Sequence, residues 1–230
     1  MKNGASLNVQ PQMTTVSFRW QAYNALKAAI TDMDIYDHRE EIRLDERHLG
    51  EKLGVSRTPI REAMSLLEQE GFVRSSPRRG VFVVRKTKRE ILDMVTVWAA
   101  LESMAARMAA QHASDDDIAS LRKLFQHFER ETLPEHMSEY SEANIAFHKQ
   151  ILRMSGCDLI VEMTDNLFIH MRAIRKVTIA RDDSAQRSIE EHMGIIEALE
   201  TRQADLAERL VRDHTLGLAE HIESRCDFLD

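Results

Sequence analysis

Three histidines and one asparagine recur on the apolar faces of helical segments in the last two thirds of the chain. Asn144 and His148 are four residues apart, so they share one helix face with apolar neighbours. His192 and His214 lie on the apolar stripes of two later segments. Three imidazoles from three separate helices are therefore expected to point into one core.

Three histidines in one core suggest a metal site, although a single inward histidine is more often an ordinary core residue. Without a donor or a metal, each buried neutral imidazole would carry a desolvation cost. Imidazole nitrogens suit zinc, nickel, iron and manganese, and three of them leave positions open for water or a carboxylate. We predict that His148, His192 and His214 bind a divalent metal ion. Zinc is expected first, with nickel, manganese and iron as alternatives.

A second group of functional side chains is basic and lies in the first third of the chain. Residues 71–89 include seven Lys and Arg residues and no acidic residue. A charge run is usually a solvated face, so its place among the neighbouring elements carries more weight than its size.

Short helices precede this basic segment. Apolar residues recur at helical spacing between residues 18 and 30 and predict a first helix. Asp45 is a good N-cap for a second helix, which Gly54 would end. Ser56 or Thr58 can cap a third helix, whose predicted buried stripe is Ile60, Ala63, Met64 and Leu67.

A hairpin with a basic tip is expected next. Strand-like runs at residues 72–75 and 81–84 flank a turn at residues 76–80. Together these elements make a winged helix-turn-helix, whose third helix enters the major groove while the hairpin lies along the backbone or the minor groove. Arginine can read guanine with two hydrogen bonds, whereas hydroxyls and helix-start amides suit phosphate. The alternative is that these charges only keep a surface helix soluble.

The same segment resembles a known family of regulators. Residues 49–63 (LGEKLGVSRTPIREA), 67–71 (LEQEG) and 79–83 (RGVFV) resemble the signature of GntR-superfamily transcription regulators. The resemblance implies DNA contacts from the second helix, the third helix and the wing tip. Together with the arginines of the basic hairpin tip, these positions form the predicted DNA-binding set: Arg47, Ser56, Arg57, Thr58, Arg61, Arg78, Arg79 and Gly80.

The rest of the chain is predicted to form about six helices, because helical periodicity repeats with almost no glycine or proline. Roughly residues 88–225 resemble the all-helical FCD effector domain of the FadR-type branch of GntR regulators. In that domain an Asp or Asn, a His four residues later and two later histidines surround a divalent metal. Asn144 occupies the position often held by Asp, and its amide oxygen would be a neutral and weaker ligand.

Two further residues are candidates for an effector pocket. Trp98 stands three residues before Leu101, at a place where the FCD family commonly has an arginine that could grip an effector carboxylate. Its presence implies a less acidic or more apolar effector, or one held by other groups; plain core packing is the alternative. His170 also faces inward and is predicted to line the pocket.

The net charge of −7 conceals an asymmetry, since residues 1–89 carry a net +5 and residues 90–230 carry a net −12. We expect a mainly α protein with a disordered arm at residues 1–16. A winged helix-turn-helix DNA-binding domain is expected at 17–86, and a helical effector-binding and dimerisation domain at 87–230.

No run of eighteen apolar residues and no signal-peptide pattern occurs, which predicts a cytoplasmic protein without a membrane partner.

These features predict a ligand-responsive transcription regulator that binds a pseudo-palindromic double-stranded DNA operator as a homodimer. Its effector would be an organic acid or a related metabolite sensed at the metal. A rival hypothesis is a metal-dependent enzyme fused to a DNA-binding module. It has little support, because no HExxH or nucleophile motif occurs and Glu191 points about a hundred degrees away from His192 on an ideal helix. A third hypothesis makes the metal itself the signal.

Overall fold

The computed structural model describes residues 17–33, 35–36, 40–128, 133–179 and 184–226 of the 230-residue chain. These residues are mainly helical, with nine α-helices and one three-stranded sheet, which confirms the expected fold class. The arm predicted at residues 1–16 lies outside the described residues. Contacts divide the chain into two compact units. One comprises the described residues up to Ile30 with Arg43–Val83, and the other comprises Thr31–Ile42 with the residues from Val84 onwards.

The N-terminal elements form the predicted winged helix-turn-helix. In chain order they are α1 (Phe18–Asp32), β1 (Arg43–Leu44), α2 (Glu46–Leu53), α3 (Arg57–Gln69), β2 (Val73–Ser76) and β3 (Gly80–Val83). The strands are antiparallel in the order β1-β3-β2. Strand β1 was not predicted, because two residues are too few to give a periodic pattern. It pairs Arg43 with Phe82 and Leu44 with Val81.

Local sequence explains the bounds of α2 and α3. The Asp45 carboxylate accepts hydrogen bonds from the backbone amides of Arg47 and His48 at 2.9 and 3.0 Å. Gly54 ends α2 in the left-handed conformation, with a φ of 66°. Ser56 is the N-cap residue of α3, although its side chain makes no capping hydrogen bond. The buried stripe of α3 is Ile60, Ala63, Met64 and Leu67, as predicted.

The second unit contains the six helices expected from the sequence. They are α4 (Lys88–His112), α5 (Asp115–Lys123), α6 (Met137–Met154), α7 (Asp158–Ile179), α8 (Ser184–Glu200) and α9 (Ala204–Arg225). A short 3₁₀-helix at Leu133–His136 precedes α6. Ser114 caps α5 through a hydrogen bond from the amide of Asp117, as expected. None of the described helices has a stretch long and apolar enough to span a lipid bilayer.

Helix α4 is central to this unit, because it packs against α6, α7, α8 and α9. It starts with a capping box in which the Thr87 hydroxyl accepts a hydrogen bond from the amide of Glu90. The carboxylate of Glu90 in turn accepts one from the amide of Thr87 at 2.9 Å. Its buried alanines allow close packing of the neighbouring helices; they are Ala99, Ala105, Ala106, Ala109 and Ala110. Helix α4 therefore reaches the centre of the core, where Trp98 and Glu102 are buried.

Candidate metal centre and nucleic-acid interface

The three predicted histidines come together in the core of the helical unit. His148 belongs to α6, His192 to α8 and His214 to α9, and all three are buried. One ligand atom from each ring lies within 4.8 Å of the others. The Nε2 atoms of His192 and His214 are 3.1 Å apart. Two nitrogens that bind one zinc ion at about 2.0–2.1 Å lie about 3 Å from each other, so this spacing fits a single small cation.

Two carboxylates hold two of these histidines from outside the cluster. The Nδ1–H of His148 donates to Oε1 of Glu102 at 2.6 Å, and the hydroxyl of Thr215 donates to Oε2 of Glu102 at 3.1 Å. The Nδ1–H of His214 donates to Oε2 of Glu191 at 2.6 Å. Because Nδ1 is engaged in both rings, Nε2 is the atom that each ring can offer to a metal.

The sequence interpretation left both acids out of the site. Glu191 does point away from its neighbour His192 on α8, but it reaches His214 on the adjacent helix α9. This contact crosses between helices, and helical periodicity alone gives no information about it. Glu102 did have a sequence signal, because it shares the buried stripe of α4 with Trp98 and Ala105. An acid on such a stripe needs a partner in the core.

Asn144 lies one turn before His148 on α6 and is fully buried. Neither atom of its side-chain amide has a hydrogen-bond partner among the described residues. Leaving a buried polar group unpaired costs on the order of 1–3 kcal/mol. The amide therefore suits a group that the chain does not itself supply, such as a metal ion bound through the amide oxygen. With the three imidazoles, the donors present fit a divalent metal ion.

Trp98 packs directly against the histidine cluster. Its ring meets the ring of His148 edge-on at a centroid distance of 4.9 Å and the ring of Phe168 at 5.3 Å. Its indole Nε1–H has no hydrogen-bond partner among the described residues. An indole donor buried in this way is available to an acceptor on a bound molecule.

His170 is buried on α7, and its Nδ1 also has no hydrogen-bond partner within the described part of the chain. Burial lowers the pKa of His170 to about 4, and the nearby charge of Lys86 lowers it as well, while Glu90 acts in the opposite direction. The imidazole is therefore neutral at physiological pH. No ring contact or hydrogen bond among the described residues joins His170 to the three histidines.

The predicted DNA-binding residues of α2 and α3 lie on the exposed side of the first unit. Ser56 is the N-cap of α3, and Arg57, Thr58 and Arg61 lie in its first turns. All four residues are exposed. Arg57 makes no hydrogen bond or ion pair with the described residues. Arg61 donates through Nε to Glu46 at 2.7 Å. Arg47 lies 3.7 Å from Glu51 and has a 71% exposed side chain.

The wing tip carries the other predicted DNA-binding residues. Arg78 has a positive φ of 63° and Gly80 a φ of 110°. Positive φ is costly for arginine and easy for glycine, so this turn holds Arg78 in an unfavourable conformation. Arg78 and Arg79 are exposed, and the guanidinium of Arg79 lies 5.3 Å from the centroid of the Phe82 ring.

A cleft of about 240 Å³ joins the wing to the helices of the first unit. Its lining includes Arg43, Arg47, Arg57 and Gly80. A Cβ atom on Gly80 would lie 3.0 Å from Nε of Arg43, so the arginine packs closely over the glycine backbone. Arg43 was absent from the predicted site because β1 was absent from the predicted fold.

Comparison with known protein families agrees with both halves of this architecture. Residues 20–83 match the family described as bacterial regulatory proteins, gntR family. Residues 93–217 match the FCD domain. The chain belongs to the GntR family of bacterial regulators. It is a transcription regulator with a helix-turn-helix DNA-binding domain and an FCD domain, and not an enzyme.

Two relatives support this assignment, and one solved structure has a similar fold. The chain is 31% identical over 186 residues to a Uxu operon regulator of Haemophilus influenzae, covering 74% of this chain and 69% of that protein. It is 29% identical over 180 residues to the Nta operon transcriptional regulator of Aminobacter aminovorans, covering 78% and 83% of the two chains. The fold is similar to that of McbR/YncC from Escherichia coli, with a TM-score of 0.73 and 22% identity over 93% of this chain and 100% of that one.

Proposed function

We propose that this GntR-family regulator senses a small molecule, an organic acid or a related metabolite, at a divalent-metal site in its helical domain. The observation that carries the proposal is the buried cluster of His148, His192 and His214, whose ligand atoms lie within 4.8 Å of one another. Asn144 would complete the set of protein ligands, and zinc is the metal expected first. When bound, the metal would supply a positive anchor for an acidic group of the effector.

The protein side chains around the cluster have separate roles in this proposal. The histidines hold the ion, and the aromatic ring of Trp98 excludes water beside His148. Trp98 and His170 each keep a buried nitrogen without a partner in the described residues, which supports an organic ligand in addition to the metal. A sensor of the metal alone would not need these further polar atoms.

The DNA-binding half of the proposal assigns roles to exposed residues of the first unit. Arg57 and Arg61 would read base edges in the major groove, and hydroxyls at the start of α3 would contact phosphate. Arg47, Arg78, Arg79 and Gly80 would hold the DNA backbone beside α2 and the wing. We propose that the protein forms a homodimer through its helical domain at residues 87–230. The dimer would present two DNA-binding domains, each at residues 17–86, to a pseudo-palindromic operator. This role also predicts a cytoplasmic location and membership of the FadR-type branch.

Effector binding would act on DNA affinity by shifting a conformational equilibrium. A ligand that binds the DNA-competent and DNA-incompetent states with different affinities changes their populations by that difference. Typical couplings of about 1–3 kcal/mol correspond to affinity changes of about 5- to 150-fold.

A native mass spectrum of protein purified without metal-affinity steps tests the metal site, the dimer and any retained ligand together. We expect a dimer with one divalent ion per chain in the wild type. We expect the ion to be lost in the His148→Ala and His192→Ala variants. Wild-type protein that stays metal-free after incubation with zinc, nickel and manganese would contradict the proposed site.

A further inference from the structure

The two acids that accept hydrogen bonds from the histidine cluster differ in their surroundings. Glu102 is fully buried on α4, whereas the side chain of Glu191 is 42% exposed on α8. Glu102 also receives the hydroxyl of Thr215, which follows His214 directly on α9. The carboxylate of Glu102 therefore connects His148 on α6 to the same turn of α9 that carries another histidine of the cluster.

We propose that Glu102 is a positioning residue of the metal centre. Its carboxylate keeps the proton of His148 on Nδ1 and so leaves the lone pair of Nε2 facing the other two histidines. This inference rests on the proposed metal site. Glu191 acts in the same way on His214, with a smaller effect.

The physical reason is that a neutral imidazole has one proton and two nitrogens, and the group bonded to one nitrogen decides which nitrogen is free. A carboxylate at 2.6 Å can only accept, so it selects the Nδ1–H form of His148. Without this acceptor, part of the His148 population would carry its proton on Nε2. That part would have to exchange its proton before it could bind a cation.

The buried charge of Glu102 adds a second contribution. A carboxylate in a low-dielectric core attracts a nearby dication more strongly than an exposed one does, because water does not screen it. Thr215 orients this carboxylate toward His148. Removal of such an outer partner typically lowers metal affinity about 10- to 100-fold. Glu191 is partly solvated, so its loss is expected to lower the affinity by less.

The test combines zinc titration against a competing chelator with ¹⁵N NMR of the metal-free protein at about pH 8, where an unperturbed imidazole is neutral. The variants are Glu102→Gln, Glu102→Leu, Thr215→Val and Glu191→Gln. Glu190→Gln is the matched control, because it removes the same charge from an exposed position beside Glu191.

In the wild type we expect His148 and His214 to show the Nδ1–H tautomer. Glu102→Gln retains an acceptor oxygen, so the tautomer of His148 is kept while zinc affinity falls about tenfold. Glu102→Leu removes both the acceptor oxygen and the negative charge, so the tautomer of His148 shifts and the zinc affinity falls up to about 100-fold. Thr215→Val lowers the affinity by less than about tenfold, and Glu190→Gln leaves both readouts unchanged.

An Nε2–H tautomer of His148 in the wild type would overturn the inference. The inference would also be overturned if Glu102→Gln and Thr215→Val bound zinc as tightly as the wild type. These two variants test the role of Glu102 even if Glu102→Leu does not fold. A wild type that shows the expected tautomers and binds no metal would contradict the proposed metal site, while still supporting the hydrogen bond by which Glu102 fixes the tautomer of His148. The two failures are therefore distinguishable.

Discussion

Arg57 is the exposed arginine at the first position of α3, and it has no ion-pair partner among the described residues. Arg61, one turn later, is held by Glu46 at 2.7 Å and must leave that partner to reach a base. Arg57 can therefore bind DNA without first breaking an interaction of the free protein. This difference separates two arginines that look equivalent in the sequence.

We predict that Arg57→Ala lowers affinity for a selected operator about 10- to 100-fold and reduces discrimination against random DNA, because a bidentate base contact contributes about 1–3 kcal/mol. Fluorescence anisotropy with operator and random duplexes at fixed salt measures both effects. Arg209→Ala is the matched control, since it removes one positive charge from an exposed position on α9. Unchanged discrimination in Arg57→Ala would remove this residue from base recognition.

His170 gives the helical unit a specific pH dependence. Its pKa is about 4 in the folded protein and about 6.5 when unfolded, so the unfolded chain binds more protons between these values. The free energy of unfolding should therefore fall as the pH drops from about 6.5 to about 4, by about 3 kcal/mol from this residue alone. His170→Leu should remove that part of the decline.

Urea unfolding from about pH 7 to about pH 4.5 checks this prediction. The chain has two tryptophans, Trp20 near its N-terminus and Trp98 in the helical core. In a Trp20→Phe background, fluorescence reports on Trp98 and thus on the helical unit. Equal pH slopes with and without the His170→Leu substitution would show that the buried imidazole does not titrate as stated.

At the scale of elements, the turn between α2 and α3 depends on a glycine inside α2. A Cβ on Gly50 would lie 2.9 Å from the backbone oxygen of Val55, and backbone cannot move aside cheaply. A Cβ on Gly194, in α8, would meet no atom within 4 Å. Two glycines within helices therefore meet opposite constraints.

We predict that Gly50→Ala destabilises the DNA-binding unit by about 1–3 kcal/mol through overpacking. Gly194→Ala should stabilise the helical unit by about 0.5–1 kcal/mol, because alanine loses less backbone entropy in a helix. Unfolding followed separately by Trp20 and Trp98, in the two single-tryptophan backgrounds, assigns each change to its unit. A neutral or stabilising Gly50→Ala would mean that the turn tolerates a wider separation between residue 50 and the backbone oxygen of Val55.

Helix caps could be predicted from the sequence, whereas the pairing of β1 and the contact of Glu191 with a neighbouring helix could not. Asp45, Gly54 and Ser114 act where expected, because capping is a local interaction. The inward direction of the three histidines was also local information, carried by helical periodicity. The two residues of β1 and the pairing of Glu191 with His214 depend on which elements become neighbours, and no local pattern encodes that.

At the scale of the whole molecule, the charge is divided between the two domains. The net +5 of residues 1–89 accompanies the helix-turn-helix, and the net −12 of residues 90–230 accompanies the FCD domain. A basic module gains affinity from released counterions, while an acidic one is repelled by phosphate. Non-specific DNA binding is therefore expected to involve the N-terminal part, and the acidic part remains available for the small-molecule sensing that we propose.

We propose that occupancy of the three-histidine site controls DNA affinity. The most direct measurement is operator affinity by fluorescence anisotropy, with zinc-loaded and chelator-treated protein, in the presence and absence of a panel of small organic acids. Wild type and His192→Ala are compared at the same salt concentration. We predict that at least one acid changes the operator affinity of the zinc-loaded wild type about 5- to 150-fold and has no effect on His192→Ala. An equal response of both proteins, or no response of the wild type to metal or acid, would show that occupancy of this site does not control DNA affinity.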